Sequence, residues 1–132
     1  SSTLATSISQ RLVRKLCPKC RKERPFTEEE KAIINKIADK YNVKFDVDNH
    51  TTFDPVGCEY CNNSGFYDRI AVFETLLVDD DIKELIVKDA STLEIRDEAL
   101  KHGYKPLLVD GIAKVVEGIT TLEELNSKLL FY

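Results

Sequence analysis

Two Cys-x-x-Cys pairs, Cys17-Pro18-Lys19-Cys20 and Cys58-Glu59-Tyr60-Cys61, stand 37 residues apart in a chain of 132 that has no other cysteine. Each pair makes a tight turn that brings two sulfurs to one side, so that both can reach a single ion at about 2.3 Å. Two such knuckles complete a tetrahedron. The separation exceeds the roughly 15 to 20 residues of a compact ribbon, so the chain between them must fold out and return. Gly57 and Gly65 flank the second knuckle, where the backbone has to turn sharply and let amide groups approach the sulfurs. The pattern predicts a structural zinc site with Cys17, Cys20, Cys58 and Cys61 as its ligands. With thiolate in all four positions no place is left for an activated water, so the metal would serve folding and not hydrolysis. The alternatives are a thiol redox pair and four buried thiols. A thioredoxin-like motif belongs at a helix start in a βαβ setting, and the pattern around these pairs does not supply one.

Composition supports the metal. The chain is 42% hydrophobic, enough for one ordinary domain or two small ones sharing a core. No apolar run reaches the roughly eighteen residues needed to cross a bilayer, and the first residues lack the order of a signal peptide. The expectation is a cytosolic chain, and in a reducing compartment paired cysteines are better explained by metal than by disulfides. A net charge of -4 and a pI near 5.2 argue against a general nucleic-acid binder. The charge is unevenly placed, however: Arg11 to Arg24 sums to +6 and the remainder to -10. Two readings are open for the basic segment. It offsets the negative charge of a four-thiolate zinc centre, or it forms a patch for a partner or a phosphate.

Leu4, Ile8, Leu12, Val13 and Leu16 fall at helical spacing, which predicts an amphipathic helix ending at Cys17-Pro18. Thr27 and Glu30 form a capping-box pattern ahead of Ile33, Ile34, Ile37, Ala38 and Tyr41, one face of a second helix. Val43, Phe45 and Val47 alternate as in a half-buried strand, and a polar run from Asp48 to Pro55 leads to the second knuckle. Phe66 to Leu77, rich in β-branched and aromatic residues, predicts a strand too apolar for an isolated edge. Short helices follow. One starts at Asp79 or Asp80, one at the Ser91/Glu94 box and ends at Gly103, one follows Pro106 and ends at Gly118, and the last opens at Thr120 or Thr121.

Other catalytic candidates are few. His50 and His102 are the only histidines and are read as structural, His102 sitting in a last helical turn before Gly103. The runs Glu28-Glu29-Glu30 and Asp79-Asp80-Asp81 begin helices, where capping explains them. No Gly-x-x-x-x-Gly-Lys-Ser/Thr phosphate loop is present, so this chain alone should not turn over a nucleotide.

In order, Gln10-Arg11-Leu12 through Cys17-Pro18-Lys19-Cys20, then Gly57-Cys58-Glu59-Tyr60-Cys61-Asn62-Asn63-Ser64-Gly65-Phe66, resemble the carboxyl-terminal region of the type II secretion and type IV pilus assembly ATPases. Tyr67-Asp68-Arg69-Ile70-Ala71-Val72-Phe73-Glu74 is similar to the family's Gly-Arg-x-Gly-Ile-Tyr-Glu segment, with Asp68 and Ala71 where glycine is usual. Asp110-Gly111 and Gly118-Ile119-Thr120-Thr121-Leu122-Glu123-Glu124 resemble its ending.

The resemblance implies an α/β chain: the tail of a RecA-like P-loop ATPase domain, a tetracysteine zinc module and a small helical module. The implied divisions are 1–16, a helix from the end of the ATPase core; 17–65, the zinc module; 66–78, a strand packing on the core; and 79–132, the helical module. The parent would be a hexameric cytoplasmic motor at the inner face of the membrane, binding ATP and Mg2+ and contacting neighbouring subunits and an inner-membrane platform protein. Arg69 would reach a nucleotide or a neighbouring subunit, or else make a surface ion pair. The rival classes are a zinc-ribbon nucleic-acid binder and a thiol redox module. No nucleic-acid partner and no transmembrane segment are expected, and the isolated chain is expected to be able to self-associate through Phe66 to Leu77.

Overall fold

The computed structural model describes residues 5–78, 80–101 and 104–132. Two long antiparallel strands, β1 (Ala5–Leu16) and β4 (Phe66–Val78), form a ribbon whose register runs from Ala5 opposite Val78 to Arg14 opposite Arg69, with an irregularity before Leu16 meets Phe66. Between them the chain makes β2 (Lys22–Arg24), helix α1 (Glu28–Tyr41) and β3 (Thr52–Asp54), and β2 pairs antiparallel with β3. Four helices complete the fold: α2 (Asp80–Val87), α3 (Thr92–Lys101), α4 (Leu107–Val116) and α5 (Leu122–Leu129).

The strand β1 corrects the helix expected before Cys17. Within it adjacent apolar residues take opposite faces, Leu12 being 47% exposed and Val13 fully buried, as successive residues of a strand do. The helical spacing of its apolar residues is real, but β4 offers a long apolar ladder that only another strand can satisfy, and that distant pairing overrides the local pattern. β4 itself forms where the strand was expected and finds its partner within the chain. The expected strand over Val43, Phe45 and Val47 is also corrected. This stretch carries no ladder. Asn42 ends α1 in a left-handed conformation, and Phe45 and Val47 then anchor an irregular segment to the core. Their alternation records anchoring and not pairing; the short strand lies later, at Thr52.

Locally encoded features hold. Thr27 Oγ1 accepts from the Glu30 N–H at 3.1 Å while a Glu30 carboxylate oxygen accepts from the Thr27 N–H at 2.9 Å, a complete capping box. The same carboxylate holds Arg24 at 2.7 and 3.0 Å, and Arg24 also reaches Asp54 at 2.9 Å, so one guanidinium ties β2, α1 and β3 together. Ser91 Oγ accepts from the Glu94 N–H at 3.1 Å ahead of α3, Pro106 precedes α4, and Thr121, not Thr120, caps α5. Asp79, His102 and Gly103 lie outside the described residues.

One core joins these elements. Val13 of β1, Phe26, Ile34 and Ile37 of the excursion, Val72 of β4, Ile112 and Val115 of α4, and Leu122 and Leu125 of α5 are buried in contact. Each fully buried side chain of this size contributes roughly 1.5–3 kcal/mol. Gly111 sets the approach of α5 to α4: a Cβ there would fall 2.5 Å from Leu125 Cδ1. The segment between the two cysteine pairs thus shares one interior with the ribbon and with α4 and α5.

Candidate metal centre

The first knuckle is carried at the end of β1 and closes on itself, the Arg21 N–H donating to the Cys17 carbonyl at 3.1 Å. The second sits on a single 3₁₀ turn, Glu59–Cys61, leading into β4. They are locked together by the Cys17 N–H, which donates to the Gly65 carbonyl at 3.0 Å. As a result the four Sγ atoms all lie within 4.8 Å of one another. Cys17 and Cys58 are 3.7 Å apart, Cys20 and Cys61 3.8 Å, and Cys58 and Cys61 3.7 Å. Four thiolates placed tetrahedrally at about 2.3 Å from one ion would be separated by about 3.8 Å. These three separations match those of a closed tetrahedral site, and no disulfide links any of the four. These are cysteines positioned to bind a metal ion.

Backbone amides complete the arrangement. Gly57 donates to Cys20 Sγ at 3.2 Å, Cys58 to Cys61 Sγ at 3.3 Å and Gly65 to Cys61 Sγ at 3.2 Å. Both glycines have positive φ, +111° and +81°. At Gly57 a Cβ would meet the Asn63 carbonyl oxygen at 2.8 Å, and at Gly65 it would meet Pro55 Cβ at 2.5 Å. Only glycine gives the turn and the N–H···S contact together. Asn62 and Asn63, at φ of 54° and 62°, complete the loop in the left-handed region that asparagine tolerates.

These contacts set the thiol acidities. Burial acts to raise the Cys61 thiol, but the N–H groups of Cys58 and Gly65 and the neighbouring thiols of Cys58 and Cys20 outweigh it and hold it at about 6. At Cys58 the strongest influence, a backbone hydrogen bond from Cys61, lowers the pKa, yet burial and the thiols of Cys61, Cys17 and Cys20 prevail and push it up to about 11. Within the second knuckle Cys61 is thus the more acidic thiol and Cys58 the less acidic one. Holding four anions requires a central cation.

The basic segment divides. Arg14, Arg21 and Arg24 are committed within the fold, to Glu124, to the Gly118 carbonyl and to the Glu30 and Asp54 carboxylates. Sequence reasoning missed the partners of Arg14 and Arg21 because Glu124 and Gly118 lie about a hundred residues away. Among the described residues Arg11, Lys15, Lys19 and Lys22 form no ion pair. Arg69 lies exposed in β4, opposite Arg14, and among the described residues its side chain has no ion pair. Asp68, standing where the resemblance leads one to expect glycine, has φ +67° and accepts the Arg69 N–H at 2.8 Å. The left-handed backbone is kept with a side chain that tolerates it. Ala71 lies half-buried within the extended strand β4. The His50 ring nitrogen Nδ1 is 2.7 Å from the Asp46 carbonyl on an exposed loop, consistent with a structural role.

Comparison with known proteins places this arrangement. The family model described as "Type II/IV secretion system protein" matches residues 1–127. The chain is 34% identical over 125 residues to the type IV pilus assembly ATPase PilB of Myxococcus xanthus, an alignment covering 94% of this chain and 21% of that protein. It is 38% identical over 126 residues to type II secretion system protein E of Aeromonas hydrophila, covering 94% and 23%. With PilB of Thermus thermophilus it shares 35% identity over 131 residues, covering 98% and 14%. The chain thus spans between 14% and 23% of the length of these relatives. No helix among the described residues is long and apolar enough to cross a membrane. A family match over nearly the whole chain, and a four-sulfur cluster built on the same residues that first suggested the resemblance, establish that the chain belongs to the type II/IV secretion system protein family.

Proposed function

We propose that the chain is the C-terminal structural and interaction region of a hexameric cytoplasmic ATPase that powers type IV pilus assembly or type II secretion, and that Cys17, Cys20, Cys58 and Cys61 hold a structural zinc ion. The observation that carries the reading is the convergence of four sulfurs within 4.8 Å of one another in a chain whose relatives are named as pilus assembly ATPases and secretion protein E. An all-thiolate site favours zinc and leaves no coordination position for water, so the ion contributes folding energy and not chemistry.

In this reading residues 1–16 and 66–78 belong to the edge of a RecA-like ATPase domain, 17–65 form the zinc module and 79–132 the helical module. ATP and Mg2+ are bound by parts of the parent not contained in this chain. Arg69, exposed and unpaired among the described residues, faces a nucleotide or a neighbouring subunit, and the parent contacts an inner-membrane platform protein at the inner face of the cell membrane.

Metal content of freshly purified protein, followed by circular dichroism before and after a strong chelator, tests the centre: about one zinc per chain with loss of structure on removal is expected. The wider role is tested by Cys58→Ser with Cys61→Ser in the full-length parent. Unchanged zinc content, folding and pilus or secretion output would sink the proposal.

A further inference from the structure

The two ends of the first knuckle grip one turn of the helical segment. Leu16, immediately before Cys17, donates its N–H to the Ile119 carbonyl at 2.8 Å. Arg21, immediately after Cys20, donates from Nη1 to the Gly118 carbonyl at 2.9 Å, and its guanidinium lies 4.1 Å from the centre of the Phe53 ring. The Arg14 carbonyl accepts from Thr120 Oγ1 at 2.8 Å, and Arg14 holds Glu124 through its own N–H and its guanidinium. Gly118 is seated so closely that a Cβ would fall 2.6 Å from the Phe53 ring. Thr120 is fully buried and Glu124 nearly so, so their polar atoms depend on these partners and not on water.

Every one of these partners except Phe53 is carried by the chain immediately flanking Cys17 and Cys20. An ion that fixes the knuckle fixes the spacing between Leu16 and Arg21, and with it the notch that receives the turn between α4 and α5. We propose that metal occupancy and the docking of α5 are energetically coupled: the loaded knuckle clasps residues Gly118 to Glu124, and loss of the ion releases this turn and α5 while α1 and α4 stay packed. The inference rests on the cluster being a metal centre and extends it to a conformational device. Release would uncover Leu122 and Leu125, which are buried in the clasped state, so the metal would govern an apolar face. Coupling of this kind is reciprocal: weakening the clasp must weaken metal binding by the same factor.

Hydrogen exchange on the chain, zinc-loaded and after chelation, reads the first half. Amide protection at Ile119 and Leu125 should fall on the order of tenfold or more, with the α1 amides around Ile34 little changed. Undiminished protection at the turn, or an equal loss through α1, α4 and α5, overturns the clasp. Chelator competition with Zn2+ reads the other half. Arg21→Ala should weaken zinc binding on the order of tenfold, with helical circular dichroism retained. Lys22→Ala removes the same charge one residue away and should leave affinity nearly unchanged. Equal losses in the two variants would assign the effect to charge and defeat the coupling, as would unchanged affinity in Arg21→Ala. A wild-type chain that neither contains nor takes up zinc defeats the metal reading itself, a result distinct from zinc-loaded protein whose turn ignores the metal.

Discussion

The backbone N–H of Phe73 donates to Oδ2 of Asp110 at 2.8 Å, so a side chain from the first turn of α4 caps an outward-facing amide of β4. Two residues on, Thr75 exchanges hydrogen bonds with Lys105 at 2.9 and 3.1 Å. With β1 on one side and these contacts on the other, much of the strand's hydrogen-bonding capacity is met within the chain. Asp110 also binds Lys114 at 3.0 Å and lies where a helix favours negative charge.

Asp110→Ala should therefore lower stability by about 1–2 kcal/mol, measured by urea unfolding. Because it also bares part of the β4 edge, sedimentation of this variant should show self-association at lower protein concentration than the parent chain. A variant as stable and as monomeric as the parent would contradict the capping role.

Glu124 gives the fold a pH dependence. Burial alone would raise its pKa, but the Arg14 guanidinium and N–H, helped by Lys128, outweigh burial and hold it below the ordinary carboxylate value. A carboxylate with a depressed folded pKa adds stability that is fully present above its unfolded value of about 4.3 and is lost as pH falls through the folded value. Unfolding followed between pH 7 and pH 3 should show this loss below about pH 5. Glu124→Gln should cost about 1–2 kcal/mol at pH 7, Arg14 being half-exposed, and should flatten that part of the profile.

Gly65→Ala tests the geometry of the sulfur cluster. A methyl group would overlap Pro55 and oppose a φ of +81°, displacing the amide that donates to Cys61. Zinc affinity, read by chelator competition, should drop by about 10- to 100-fold, as for other outer partners of metal ligands. Retention of full affinity would show that the N–H···S contact is dispensable.

Asp68 offers a backbone test free of the metal. Its left-handed conformation is tolerated but not preferred, so Asp68→Ala should destabilise by about 1–2 kcal/mol, whereas Asp68→Gly should be neutral or mildly stabilising, as measured by thermal unfolding. Equal effects of the two substitutions would indicate that the turn relaxes to an ordinary conformation.

The sequence by itself determined what depends on neighbours along the chain. The Thr27/Glu30 box, the Ser91 start of α3 and the turn within each Cys-x-x-Cys pair encode contacts spanning a few residues, so type and position are enough to read them. Tertiary structure decided the rest. Ala5–Leu16 is a strand because β4, more than fifty residues downstream, offers a ladder that no local pattern reveals. Val43 to Val47 is irregular, and among the described residues no strand pairs with it. The commitments of Arg14 to Glu124 and Arg21 to Gly118 arise only once the knuckle and the turn between α4 and α5 are folded against one core. Local hydrogen bonds are written in adjacent residues, whereas strand pairing and long-range charge contacts depend on which distant surfaces the collapse of the core brings together.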